Sequence, residues 1–262
     1  MTKTRISEMF NKLKETDDKA FIAYMMAGDG GLDKLPYQIK TLEEAGVDLI
    51  EIGIPFSDPA ADGPVIQRAG IRALNEHVSL RAILKKLTEI KSDINVPYVL
   101  MTYYNPVFHY GLETFAEDAA AANVSGLIVP DVPLEEEPEL KNALAGTGLA
   151  IIRLATLTTT DERLANLVDG AEGFIYAVTV NGVTGKRTGY SEEVYENLAR
   201  IKEQSNVPVC AGFGITSAEA AETLGEHCDG VIVGSQIVEM FHQKEEKDIK
   251  SLIPKKHGER VK

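Results

Sequence analysis

The 262-residue chain has only two cysteines, Cys210 and Cys228, which are neither spaced as CxxC nor numerous enough for a disulfide framework. They read as buried thiols in core strands, in a protein of a reducing compartment. Long apolar runs are missing too. None approaches the ~18 residues needed to span a bilayer, and the opening MTKTRISEMF lacks the uninterrupted apolar centre of a signal peptide. A cytoplasmic protein without membrane contact is expected. Basic charge is short as well: 27 Lys and Arg against 40 Asp and Glu leave a formal charge of −13. Most of the surface therefore repels nucleic acid and anionic lipid, and any phosphate must be bound locally.

What is present is an ordinary globular composition, 44% hydrophobic and 26% charged with 22 glycines and 11 prolines, which excludes disordered, collagen-like and coiled-coil chains. At a typical ~150 residues per domain the length fits two small domains or one large α/β barrel. The pattern decides between them. Ile6, Met9, Phe10 and Leu13 lie at helical spacing in an opening amphipathic helix. Eight short apolar runs follow: FIAYMMA (21–27), VDLIEIGI (47–54), PYVLMTY (97–103), VSGLIVP (124–130), LAIIRLA (149–155), GFIYAVT (173–179), VPVCAGF (207–213) and DGVIVGS (229–235). Helix-forming stretches such as LRAILKKLTEIK and SEEVYENLARIKEQ separate them. Continuous hydrophobicity marks parallel strands buried on both faces, and eight βα units match an α/β fold of the (β/α)8 TIM barrel type with an extra N-terminal helix. Residues 1–262 are expected to form one such domain. The long gap after the second run has room for a loop and two helices.

In such a barrel the chemistry lies where the strands end. Glu51 interrupts VDLIEIGI, and alternation puts Leu49, Glu51 and Gly53 on one face with Ile50, Ile52 and Ile54 on the other. If the first face lines the barrel, burial raises the pKa of Glu51 and suits it to exchange protons near neutrality; the competing reading is a structural glutamate paired with a buried cation. The loop PFSDPAADGPVIQ then brings Asp58 and Asp62, either as turn residues or, for one of the two, as a second carboxylate working beside Glu51. Three glycine-rich loops follow the later strands: GVTGKRTG (182–189), GFGITS (212–217) and GSQIV (234–238). Loops at those strand ends, with a helix N-terminus, are a common phosphate cradle in barrels.

Other chemistries lack their parts. No lysine occupies a strand end for an imine, and the five histidines are scattered, with only His109 near a strand end, so no metal is expected. With neither electron sink, carbon–carbon cleavage requires a substrate that supplies its own, such as an electron-rich ring. Another phosphate-binding barrel enzyme, or a noncatalytic regulatory subunit, stands as an alternative.

The loop PFSDPAADGPVIQ after a strand bearing Glu51, followed in order by GVTG, GFGI and GS, resembles the tryptophan synthase alpha chain family nearly end to end. The resemblance implies cleavage of indole-3-glycerol phosphate to indole and glyceraldehyde 3-phosphate without a cofactor in this chain, pyridoxal phosphate residing in a partner beta chain of an alpha2beta2 complex. It makes Glu51 the proton-transferring carboxylate and Asp62 the partner of the indole N–H. Tyr176 would lie beside Glu51, and Thr184 would bond Asp62. Backbone N–H groups of Gly185, Gly214, Gly234 and Ser235 would hold phosphate, and Phe21, Met101, Tyr103 and Leu127 would wall the indole pocket or simply belong to the core. Asp58, Asn105, Pro106 and Phe108 would dock the partner, although the segment YYNPVFHYG is equally compatible with packing on its own core. The stretch 182–189 reads as a ligand-ordered lid, or else a static loop. Two places depart from the family pattern, AGDGG after the first strand and TVNGVTG after the sixth.

Overall fold

The computed structural model describes residues 2–179, 191–212 and 214–256. Strands β1 (Ala20–Met26), β2 (Leu49–Gly53), β3 (Tyr98–Met101), β4 (Gly126–Ile128), β5 (Ala150–Ile151), β6 (Arg153–Thr156), β7 (Ile175–Val178), β8 (Val209–Gly212) and β9 (Gly230–Val233) form one sheet. Its order is β5-β4-β3-β2-β1-β9-β8-β7-β6, and every pairing is parallel. The fifth apolar run thus supplies two strands rather than one. Its first part pairs with β4 and its second with β7, while Ile152 between them donates its N–H to the Leu127 carbonyl at 2.9 Å. The two edges of the sheet are consecutive residues of one chain, which closes the cylinder.

Alternation sorts the side chains. Ile22, Leu49, Val99, Ile128, Ile152, Tyr176, Cys210 and Ile232 fill the interior. Ile50, Ile52, Leu100, Leu127, Ile175, Ala211 and Val231 face outward into a second core shared with the helices. The opening helix α1 (Thr2–Glu15) turns Ile6, Phe10 and Leu13 onto the interior layer and seals the end where the strands begin, with the Phe10 and Phe174 rings 6.1 Å apart. The remaining helices are α2 (Leu35–Ala45), α3 (Pro64–Asn75), α4 (Leu80–Ile90), α5 (Tyr104–Tyr110), α6 (Leu112–Ala121), α7 (Glu137–Ala143), α8 (Asp161–Val168), α9 (Glu192–Gln204), α10 (Ala218–Gly225) and α11 (Ser235–Gln243). The long gap after the second run holds a loop, α3 and α4, as its length required. None of these helices is long and apolar enough to cross a membrane.

Beside the seam between β5 and β6, Arg153 forms a bidentate pair with Glu137 of α7, both contacts 2.7 Å, and donates to the carbonyls of Leu167 and Asp169 beside α8. Both side chains are more than nine-tenths buried. Removing one partner of such a pair strands the other charge, at about 3–5 kcal/mol. Arg153→Met is therefore expected to lower unfolding stability by that amount in a urea titration, and Arg153→Met with Glu137→Leu to recover most of it. A single-variant loss below about 1 kcal/mol would show that the pair does not secure the seam.

Candidate active site at the barrel mouth

β2 delivers Glu51 to the interior because its alternation has Leu49 below on the same face and Gly53 above, nearer the mouth. The side chain is 1% exposed. Among the described residues its Oε2 has no hydrogen-bond partner, and no lysine or arginine is paired with it. Burial, helped by the nearby Asp62 charge, pushes its pKa up to about 8. The cation that the structural-glutamate reading required is not beside it among the described residues.

Asp62 lies on the loop between β2 and α3 and is half-buried. Burial raises its pKa to about 6, opposed by a hydrogen bond from the Tyr103 phenol. That phenol also accepts the Ala61 N–H at 2.9 Å, and its ring lies 5.2 Å from Phe56. One tyrosine just past β3 thus holds both the Ala61 backbone and the Asp62 side chain. Between the two shifted values Glu51 is neutral and Asp62 ionised, the division expected of an acid and an electrostatic partner.

Two more phenols complete the mouth. Tyr24 stands opposite Glu51 in the β1–β2 register and Tyr176 rises from β7; both are buried, and burial followed by the nearby carboxylate charges keeps them protonated. Each hydroxyl occupies space left by a glycine. A β-carbon on Gly53 would run into the Tyr24 hydroxyl, and one on Gly212 would lie 2.5 Å from that of Tyr176.

Met101 and Tyr103 do reach this end of the barrel, Met101 half-buried and touching the interior layer. Phe21 and Leu127 do not. They lie on the outward faces of β1 and β4, packed among the helices, because each sits one residue out of phase with the interior set. Tyr24 and Ile128 hold inward positions on those strands. Reading the phase of β1 from Glu51 was the available signal for Tyr24; a run in which every residue is apolar gives no contrast of its own.

Gly214 is exposed with φ at 86°, in the left-handed region. Gly234 caps α11, whose first turn begins at Ser235 and receives no side-chain cap, so its N–H groups are available to an anion. Thr184, Gly185 and the 182–189 loop lie outside the described residues. Asp58 and Asn105 are exposed and Pro106 half-buried, while Phe108 is 60% exposed with its ring 5.8 Å from that of Tyr104. Within α5 only Val107 is buried.

The shifted carboxyl carries a stability signature. Glu51 titrates near 4.3 when unfolded and near 8 when folded, so its favourable contribution is complete below about 4.3 and is lost as pH rises through about 8. The slope is at most about 1.4 kcal/mol per pH unit. Glu51→Gln, neutral throughout, is expected to match wild type in thermal unfolding near pH 4.5 and to exceed it progressively toward pH 8. Parallel profiles would mean that the carboxyl is not held out of water.

Fold and mouth together define the class: a (β/α)8 barrel with two carboxyl groups of raised pKa toward its mouth and an uncapped helix N-terminus after the last strand. Residues 10–260 match the family model described as tryptophan synthase alpha chain. The chain is 47% identical to the tryptophan synthase alpha chain of Oceanobacillus iheyensis over 261 residues, covering all of both proteins, and 49% identical to that of Listeria innocua over 249 residues, 95% of each. Among solved structures, it resembles the alpha subunit of Legionella pneumophila tryptophan synthase with a TM-score of 0.83 at 35% identity, covering 93% of this chain and 91% of that one. A tryptophan synthase structure from Mycobacterium tuberculosis gives 0.87 at 36% identity, with 95% of each covered. The chain belongs to the tryptophan synthase alpha chain family, whose alpha reaction cleaves indole-3-glycerol phosphate to indole and glyceraldehyde 3-phosphate. A beta chain is the partner that the family implies.

Proposed function

We propose that Glu51 and Asp62 carry the alpha reaction in this chain. The observation behind the reading is a carboxyl group held inside the barrel, unpaired at Oε2 among the described residues, with an ionisable neighbour of lower pKa. Neutral Glu51 protonates C3 of the indole ring, which turns the ring into an iminium and supplies the electron sink. The resulting carboxylate then takes the proton of the side-chain hydroxyl; the C3–carbon bond breaks, its electrons restore the aromatic ring, and the aldehyde leaves. Asp62 accepts the ring N–H and steadies the positive charge on nitrogen, a contribution of several kcal/mol in a water-poor site. Glu51 ends the cycle protonated, as it began.

Indole would lie against Tyr24, Met101, Tyr103, Ile128 and Tyr176, and the phosphate against the backbone of Gly214, Gly234 and Ser235. Such a cradle suits a protein of net charge −13, since amides at a helix N-terminus bind an anion without a lysine cluster. No cofactor is needed in this chain, pyridoxal phosphate belonging to the beta chain. We place the protein in the cytoplasm as one domain of an alpha2beta2 assembly, docked through the face that carries Asp58, Asn105, Pro106 and Phe108.

Glu51→Gln is expected to reduce indole release by at least about 100-fold, the scale of general acid–base effects. Wild-type kcat/KM should be bell-shaped, falling below about pH 6 as Asp62 protonates and above about pH 8 as Glu51 ionises. Near-normal activity in the variant, or a flat profile from pH 5 to 9, would defeat the assignment. Mixing with a tryptophan synthase beta chain should raise both alpha turnover and sedimentation coefficient, and Phe108→Asp should weaken both effects at least tenfold in half-saturating concentration, on the order of 1.4 kcal/mol. Identical titrations would move the docking face elsewhere.

A further inference from the structure

The catalytic face contains one charged contact that the reading above leaves idle. α3 starts two residues after Asp62, and Gln67 in its first turns donates from Nε2 to the Asp62 carbonyl at 2.9 Å. The backbone bearing Asp62 is thereby tied to α3. The buried side of that helix is Ile66, Ala69, Gly70 and Ala73, which meets Tyr24 and Met26 of β1 and Val238 of α11. Beyond Ile66 these are small residues, which allow close approach but raise few ridges, so packing alone sets the helix weakly along its axis.

Arg72, near the far end of α3, supplies the missing fix. Its Nε and Nη2 donate to Oδ1 and Oδ2 of Asp29, each at 2.6 Å. Asp29 lies in the turn that ends β1, its side chain only 10% exposed. The turn itself is firmly seated: the Asp29 N–H bonds the Met26 carbonyl, and Gly28 at φ 81° lies so close to Val78 that a β-carbon there would collide with it. Glu239 of α11 adds a favourable charge to the guanidinium. A two-point Arg–carboxylate contact constrains orientation as well as distance.

We propose that the Asp29–Arg72 pair is the positioning element that sets α3, and through Gln67 the Asp62 carboxylate, against β1 and α11. This rests on the reading of Asp62 as the indole N–H partner. Arg72 acts through the helix and not on the substrate: eight residues separate it from Pro64, about 12 Å at 1.5 Å per residue. The helix is a lever of that length, and a misplacement of roughly 1 Å at a reacting centre costs on the order of 100-fold in rate.

The test compares steady-state indole release for Arg72→Gln, Arg72→Lys, Asp29→Asn and the combination of Arg72→Gln with Asp62→Asn. Arg72→Gln and Asp29→Asn should each lower kcat about tenfold while KM stays within about threefold, and Arg72→Lys should recover part of the loss. In the Asp62→Asn background, Arg72→Gln should cost nothing further, because the group it positions is already gone. Losses that multiply in that background, or a raised KM with unchanged kcat, overturn the proposal and mark the pair as general scaffold. An Asp62→Asn protein with wild-type turnover removes the reading of Asp62 itself, and the proposal with it. If Arg72→Gln does not fold, the same cycle run with Asp29→Asn decides the question.

Discussion

A carboxyl group kept out of water inside a closed parallel barrel is the constraint around which the catalytic face is arranged. Among the described residues Glu51 has no cation to offset its burial, and burial holds it in the neutral form at physiological pH. The same burial gives it a proton to donate where an exposed glutamate would have none. Asp62, less deeply placed and bonded by the Tyr103 phenol, stays ionised at that pH. Their proximity reinforces the separation, because the ionised aspartate further disfavours charge on the glutamate.

Dryness at Glu51 depends on parts far from it. The interior layer of Ile22, Leu49, Val99, Ile128, Ile152 and Ile232 fills the cylinder, and α1 closes its lower end with Ile6, Phe10 and Leu13. The seam is secured from outside by Arg153 and Glu137. Were the cylinder open at either place, water would reach the interior and restore the ordinary carboxyl pKa. The layout therefore divides labour by height: apolar packing below, one acid at the middle, phenols and glycines at the rim. Glycine is needed at 53 and 212 because rings from β1 and β7 lie across those strands.

The segment inserted after β2 links this acid to its surroundings. It contributes Asp62, then α3, which packs against both β1 and α11. The helix whose N-terminus is open to an anion and the helix that follows the second carboxylate thus share one small apolar patch, and Asp29 and Arg72 pair between β1 and α3. On the neighbouring side α5 exposes the Phe108 ring.

The order of apolar runs, the place of Glu51 and the glycine-rich strand ends were legible along the chain, because each is a local matter of composition and spacing. The strand segment LIEIG of the second run betrayed its phase by containing one charge, Glu51. FIAYMMA and VSGLIVP contain none, so nothing local told which of their faces turned inward; the packing of the closed cylinder put Tyr24 and Ile128 inside and sent Phe21 and Leu127 to the helices. Equally hidden were the break at Ile152 and the pairing of Asp29 with Arg72, residues 43 positions apart. The amino-acid order was enough to fix which elements form and that a lone carboxyl interrupts the second strand, since period and polarity are written residue by residue. Tertiary structure alone decided which apolar face lines the barrel and which distant charges meet, because both follow from the closure of strands and helices into one space.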